Sequence, residues 1–326
     1  MHRSQYTVFI VVALSFALGI FAHAFFFPRD IRSIYSDIRE VGQSNSLTNP
    51  LLECAELPES ISVGTRIGLQ ERIEAFIDDA VTKGTLSHAS VYFRDLNNGP
   101  WFGIGEERDF YPASLLKLPL AMSLYQLAET DQTLMDTYIT YDGSRVGDVE
   151  ETQPYQPHAR LEKDKEYSVE ELVGLMLRES SNEAALILSQ IIGLENIQKV
   201  YRDFGQEMPL SGQELPIDVH TYASFFRILY NATYLDRDDS EKILKFLTES
   251  TFKDGIIAGV SSDIQVAHKF GTRSLDGNER QLHDCGIVYA DETPYILCIM
   301  SQGNDYAKLA GFIKEVSRLV YTEVAK

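Results

Sequence analysis

The sequence predicts a mixed α/β (α+β) fold: one antiparallel sheet built from both chain ends, flanked by helices, with a helical lobe beside it. Three observations predict it. Early in the chain, "ASVYFRDL" and "PWFGIG" flank Asn97-Asn98-Gly99, a strong hairpin signal. Towards the other end, "IQVAHKFGT", "CGIVYA" and "PYILCIM" read as three more strands. Between these two groups the apolar residues recur at helical spacing. Strands from both ends with helices between them point to one sheet that both ends join.

Taken in order, the chain opens with Thr7 to Phe27, "TVFIVVALSFALGIFAHAFFF", which contains no Asp, Glu, Lys or Arg. About 20 such residues span a bilayer core as a helix. Ala22-His23-Ala24 also fits a signal-peptidase site. The apolar run continues through it to Phe27, however, which favours an uncleaved anchor over residues 1–27. Arg3 on one flank and Arg29 and Arg32 on the other leave its orientation undecided. Residues 28–65 form a stalk and linker, with Ile31, Ile34, Tyr35 and Ile38 at helical spacing. Their later part, rich in Ser, Asn, Pro and Glu, reads as a linker or an extended wrap.

The globular domain then covers 66–326. Its first helix, "RIGLQERIEAFIDDAVTKG", stops at Gly84. After the hairpin, Ser168 followed by Glu171 makes a capping box that opens a helix. "SNEAALILSQII", "LENIQKVYRDFG", "VHTYASFFRILY" and "DSEKILKFLTES" continue the helical middle, and "AKLAGFIKEVSRLVYTEV" closes the chain after the last strand. A cleft between sheet and lobe is the natural place for a site.

Composition narrows the function. The net charge is −19 over 326 residues, and no basic stripe offsets phosphate repulsion, so a nucleic-acid partner is excluded. Cys54, Cys285 and Cys298 give neither a disulfide framework nor a metal-ligand spacing. One bridge is open to them outside the cytoplasm, but buried or incidental thiols are the simpler reading. Seven scattered His without H-E-x-x-H call for no catalytic metal, and no cofactor is expected. A monomer is expected.

Two segments carry the S-x-x-K spacing of an acylating serine hydrolase: "YPASLLKLPLAM", with Ser114 and Lys117, and "ESTFKDG", with Ser250 and Lys253. A serine hydroxyl is a weak nucleophile until a base takes its proton. On a helix, a Lys three residues on shares its face and reaches the Oγ. Burial and nearby positive charge lower the amine's pKa towards a usable base. The spacing alone is weak, since chance supplies about one copy in such a chain. Context separates the two. Ser114 follows a Pro-containing helix entry and leads into the apolar run "LLKLPLAMSLYQLA", where a Lys demands a reason. Pro119 in that run is expected to cost a hydrogen bond and bend the helix. Ser250 ends a soluble helix, and Lys253 there is a solvated charge favoured by the dipole.

Ser114 also has companions in order. Ser180-Ser181-Asn182 lies 66 residues on, at a helix start, and Lys269-Phe270-Gly271-Thr272 follows in an alternating strand. Alone, Ser180 reads as an N-cap and Lys269 as an exposed edge-strand residue. Together the motifs form the ordered triple S-x-x-K, S-x-N, K-x-G. This triple resembles the class A β-lactamases and, more widely, the penicillin-binding-protein superfamily of active-site serine enzymes, over about residues 66–326. The resemblance implies that Ser114 is acylated and that Lys117 is its base. Ser180 would pass a proton to the departing nitrogen, and Asn182 would hold the substrate's amide side chain. Lys269 would pair with the substrate carboxylate. Gly271 and Thr272 belong to the same strand, with the N–H groups of Ser114 and Thr272 as the oxyanion hole.

Three departures accompany it. Phe270 replaces the family's hydroxyl residue, with Thr272 or Arg273 as substitute carboxylate contacts. Ser181 replaces the Asp of S-D-N. No E-x-x-L-N that would activate a deacylating water is visible between the second and third motifs, and Glu207 and Glu214 there read as surface carboxylates. The first reading is a membrane-anchored, extracytoplasmic serine hydrolase that opens β-lactam amides. The second is a D,D-peptidase-like protein acting on peptidoglycan stem peptides, and the third a non-catalytic envelope binding module.

Overall fold

A computed structural model describes residues 47–49, 63–97, 99–143, 154–206, 215–290 and 293–325. The expected anchor, most of the 28–65 stalk and linker, and Cys54, Glu207 and Glu214 lie outside them. No helix among the described residues is long and apolar enough to cross a membrane.

Helix α1 (Val63–Thr82) ends before Gly84, whose φ of 68° glycine adopts without steric cost. Strands β1 (His88–Asp95) and β2 (Trp101–Ile104) form the expected hairpin, antiparallel with Phe93 opposite Phe102. A 3₁₀ turn (Ala113–Leu116) then runs into helix α2 (Lys117–Ala128). Pro119 therefore falls in the first α-helical turn, where an N–H has no partner to lose. The hydrogen bond expected to be lost at Pro119 is therefore not one this α-helix would make, because the four residues before Lys117 are wound as 3₁₀.

A small ladder that the sequence reading did not include, β3 (Tyr138–Thr140) with β4 (Glu166–Ser168), precedes helix α3 (Val169–Arg178). The predicted box caps α3: Ser168 Oγ accepts from Glu171 N at 3.1 Å, and the Glu171 carboxylate accepts from Ser168 N at 2.7 Å. Helices α4 (Asn182–Ile192), α5 (Leu194–Asp203), α6 (Val219–Tyr230) and α7 (Arg237–Thr248) complete the lobe. Strands β5 (Val266–Ser274), β6 (Arg280–Val288) and β7 (Tyr295–Gly303) and helix α8 (Tyr306–Val324) follow.

The sheet runs β2-β1-β7-β6-β5, antiparallel at every pairing, so the first hairpin meets the last strand of the chain. Both faces are covered, which is why the strands read as nearly continuous apolar runs. Successive side chains point to opposite faces. Tyr295, Leu297 and Ile299 join Val91 and Phe93 against α1 and α8, whereas Ile296, Cys298 and Met300 join Tyr92 against the helical lobe. Cys285 and Cys298, directly opposite on β6 and β7, are bridged. That corrects the simpler reading of buried thiols: the register, which sequence spacing does not reveal, sets the two sulfurs face to face.

Residues 47–49 lie along the lobe. Leu47 N and Thr48 N both donate to the Glu241 carboxylate, at 2.6 and 2.9 Å. Tyr289 Oη donates to Leu47 O, and Asn49 N to Tyr230 O. Here the chain is a wrap, not a free linker.

Candidate active site

The Ser114 turn is positioned from several sides. Phe110 exchanges both backbone hydrogen bonds with Ile217, at 3.0 and 2.9 Å, which fixes the chain four residues before Ser114. Ala113 takes φ 49°, a left-handed conformation that costs a non-glycine residue about 1–3 kcal/mol and persists only where the surroundings enforce it. They do so here. The buried Tyr222 hydroxyl donates to Leu115 O at 2.9 Å, and His283 Nε2 donates to Tyr111 O at 3.1 Å. His283 Nδ1 accepts from Ser301 N at 3.3 Å, so its ring is neutral, and burial lowers its pKa to about 4.

Strand β5 seats against the same turn. A Cβ on Gly271 would lie 2.8 Å from Pro112 O and 3.2 Å from Leu115 N. Only glycine lets the K-x-G strand approach the Ser114 turn so closely.

Lys117 is the centre of the site. It is 5% exposed, and its Nζ reaches Ser114 Oγ at 3.0 Å, Ser180 Oγ at 3.2 Å and Asn182 Oδ1 at 2.6 Å. It also donates to Ser180 O. An ammonium has three N–H donors, so the four acceptors compete for it.

Ser180 can turn inward because it is not the helix cap. Ser181 takes that role, its Oγ accepting from Ala184 N at 3.2 Å. This is a correction to the reading of Ser180 as an N-cap, and it explains how Ser serves where the family has Asp. Ser180 itself is fully buried with φ 57°, a second strained non-glycine residue at the site.

From the other side, Lys269 Nζ donates to Ser180 Oγ at 2.9 Å and to Phe270 O at 3.0 Å. Although β5 is an edge strand, Lys269 is fully buried, contrary to the exposed residue that alternation alone suggests. Burial, and then the charge of Lys117, hold its pKa well below the usual lysine range, with Asp284 acting in the opposite sense. Two amines share one hydroxyl in low dielectric, which favours a neutral amine at one of them.

The five residues Ser114, Lys117, Ser180, Asn182 and Lys269 thus meet, and Gly271 and Thr272 lie on the strand beside them. A cavity of about 500 Å³ opens from Ser114, Lys117 and Asn182 along an apolar wall of Leu116, Leu120 and Leu186. It runs between α2 and α4 rather than between sheet and lobe. The buried Glu183 also lines it. Arg273 lies over the ring of Tyr111, its guanidinium carbon 4.3 Å from the ring centroid.

The sequence of the β-lactamase enzyme family matches residues 68–324, more than half of the chain. The chain belongs to this family. No curated protein matches it at the sequence level, but solved folds agree. A β-lactamase from Chitinophaga pinensis superposes with a TM-score of 0.67 at 17% identity, over 78% of this chain and 98% of that one. TLA-3 extended-spectrum β-lactamase gives 0.69 at 13%, over 80% and 100%. A mutant of PBP-A, in an acyl-enzyme complex with penicillin-G, gives 0.64 at 18%, over 78% and 96%. As a member of the β-lactamase family, the chain has the fold of a serine β-lactamase-like hydrolase.

Sequence reading missed the supports of this site. His283 and Tyr222 sit on buried faces of an apolar strand and an apolar helix, and nothing local marks them as holding the Ser114 turn. The second S-x-x-K falls outside the site: Lys253 is exposed and Ser250 buried. Its segment has a packing role instead. Phe252 stacks on Phe270, Ile256 N donates to Asp284 Oδ2 at 2.8 Å, and Gly255 leaves no room for a Cβ against that carboxylate. Asp284 in turn pairs with buried His268 at 2.8 Å.

Proposed function

We propose that the protein is a class A β-lactamase-like serine hydrolase working through a Ser114 acyl-enzyme. The observation that carries this is the meeting of all three motifs on Lys117 Nζ and Ser180 Oγ. In the neutral state, Lys117 takes the Ser114 proton as Oγ bonds to the acyl carbon. The carbon–nitrogen bond then breaks, and the nitrogen takes a proton from Ser180 Oγ, which is replenished from Lys117 or Lys269. Asn182 holds Lys117 and faces the substrate amide. The N–H groups of Ser114 and Thr272 receive the developing oxyanion. The apolar wall receives the acyl side chain. Water closes the cycle by hydrolysing the ester on Ser114.

A second reading, a D,D-peptidase-like protein that keeps its acyl group, is favoured by one feature. Only residues 204–218 connect α5 to α6, a short span in which to seat a water-activating carboxylate. The acyl-enzyme of the PBP-A mutant supports this alternative by analogy of fold alone. This reading puts the domain outside the cytoplasm behind an N-terminal anchor, and the buried Cys285–Cys298 bridge suits such an oxidising compartment.

The test is to incubate the full-length protein with a chromogenic cephalosporin and follow colour and intact mass together. Sustained turnover supports the lactamase reading. A stable adduct on Ser114 with little turnover supports the peptidase-like one, and folded protein that gains no mass from the cephalosporin or from its methyl ester refutes both. Ser114→Ala abolishes the adduct, whereas Ser250→Ala leaves it unchanged.

A further inference from the structure

The amine that the family resemblance offers to a substrate carboxylate is enclosed here. Lys269 is fully buried. Two of its three N–H donors serve Ser180 Oγ and Phe270 O, and its Nζ lies 4.4 Å from the centroid of the Phe270 ring. At that distance the ring's π face covers the amine on the side where an anion would stand.

The ring does not swing aside freely. Phe270 is 4% exposed and stacks on Phe252 with centroids 4.3 Å apart. Tyr155 closes on both edge-on, at 4.7 Å from Phe252 and 5.8 Å from Phe270. The surroundings are also unfavourable to a further negative charge. Burial first, then Asp254 with Tyr306, Asp305 and Asp284, push the Tyr155 hydroxyl up to about 12. The other strand cation, Arg273, is laid on Tyr111.

We propose that Phe270 is a specificity-determining residue: it closes the β5 end of the site to a carboxylate, so Ser114 takes acyl donors whose leaving portion is neutral there, an ester or capped amide rather than a free acid. This rests on Ser114 being the acylated nucleophile. The chemistry is otherwise unaltered. Ser114 Oγ gains the acyl group, the leaving nitrogen or oxygen takes the proton, and Lys269 remains a proton-relay partner of Ser180.

The experiment uses a chromogenic cephalosporin with its free carboxylate and the methyl ester of the same compound. Acylation of Ser114 in the full-length protein is timed by intact mass. The ester is expected to acylate the wild type at least tenfold faster than the acid. Phe270→Thr is expected to raise the acid rate tenfold or more while leaving the ester rate within about twofold. Equal labelling by acid and ester, or a faster acid, overturns the proposal, and this wild-type ratio decides even if the variant fails to fold. An acid rate that Arg273→Ala selectively abolishes also overturns it, because the carboxylate then has a partner. Failure of both probes to label Ser114 overturns the nucleophile assignment itself, a result distinct from equal labelling.

Discussion

Gly271→Ala tests the contact on which the site depends. The added Cβ would stand 2.8 Å from Pro112 O and 3.2 Å from Leu115 N. Both are backbone atoms of the Ser114 turn, so neither steps aside by changing rotamer. Ordinary carbon contacts begin near 3.5 Å, and β5 and the turn must separate by about 0.5 Å. Overpacking of this kind costs about 1–3 kcal/mol, and each kcal/mol shifts Tm by about 2–4 °C in a domain of this size. The larger effect falls on chemistry. Lys269 lies two residues before Gly271 and bonds Ser180, whereas Ser114 belongs to the turn being displaced. Since a misplacement of about 1 Å costs about 10²-fold, half that shift predicts a loss of about tenfold or more in Ser114 acylation. Thermal unfolding and intact-mass acylation rates measure the two effects separately. An unchanged acylation rate in a folded Gly271→Ala protein would falsify the claim that β5 and the turn must touch for catalysis.

Three further outcomes follow from the same contacts. His283 is held neutral by burial at a pKa of about 4, against 6.5 unfolded. The unfolded chain therefore binds the proton first, and stability that is complete above pH 6.5 is lost as pH falls towards 4, by about 3 kcal/mol. Urea titrations at several pH values should show this slope, and His283→Gln should flatten it. Glu241→Ala removes the acceptor for Leu47 N and Thr48 N; hydrogen bonds to a charge contribute about 1.5–3 kcal/mol each, so limited proteolysis near residue 48 should accelerate about tenfold or more while Ser114 labelling is preserved. Unchanged cleavage would mean that the wrap is not held there. Replacing Cys285 and Cys298 together by Ala opens a cross-link with a sequence separation of 13, and urea unfolding should report a loss of about 3 kcal/mol.

Much of the molecule was legible before any coordinates. Each helix start marked by Ser168 or by the Asn182 segment lies where its cap demands, because capping is local chemistry. The apolar runs at Val266, Cys285 and Tyr295 are strands, because burial on both faces leaves a continuous apolar signature. The order of S-x-x-K, S-x-N and K-x-G selected Ser114 over Ser250, although "STFK" and "SLLK" share the same spacing.

What the sequence determined by itself is therefore the inventory: which segments are helices and strands, and which Ser, Lys and Asn are candidates for the chemistry. The tertiary structure decided the rest. It buried Lys269 on an edge strand and freed Ser180 by giving the cap to Ser181. It laid the Phe270 ring over the Lys269 amine and brought Cys285 opposite Cys298. Periodicity and capping depend on neighbours in sequence. Burial, register and shared hydrogen bonds depend on which distant segments touch, and that is decided only when both chain ends close one sheet against the helical lobe.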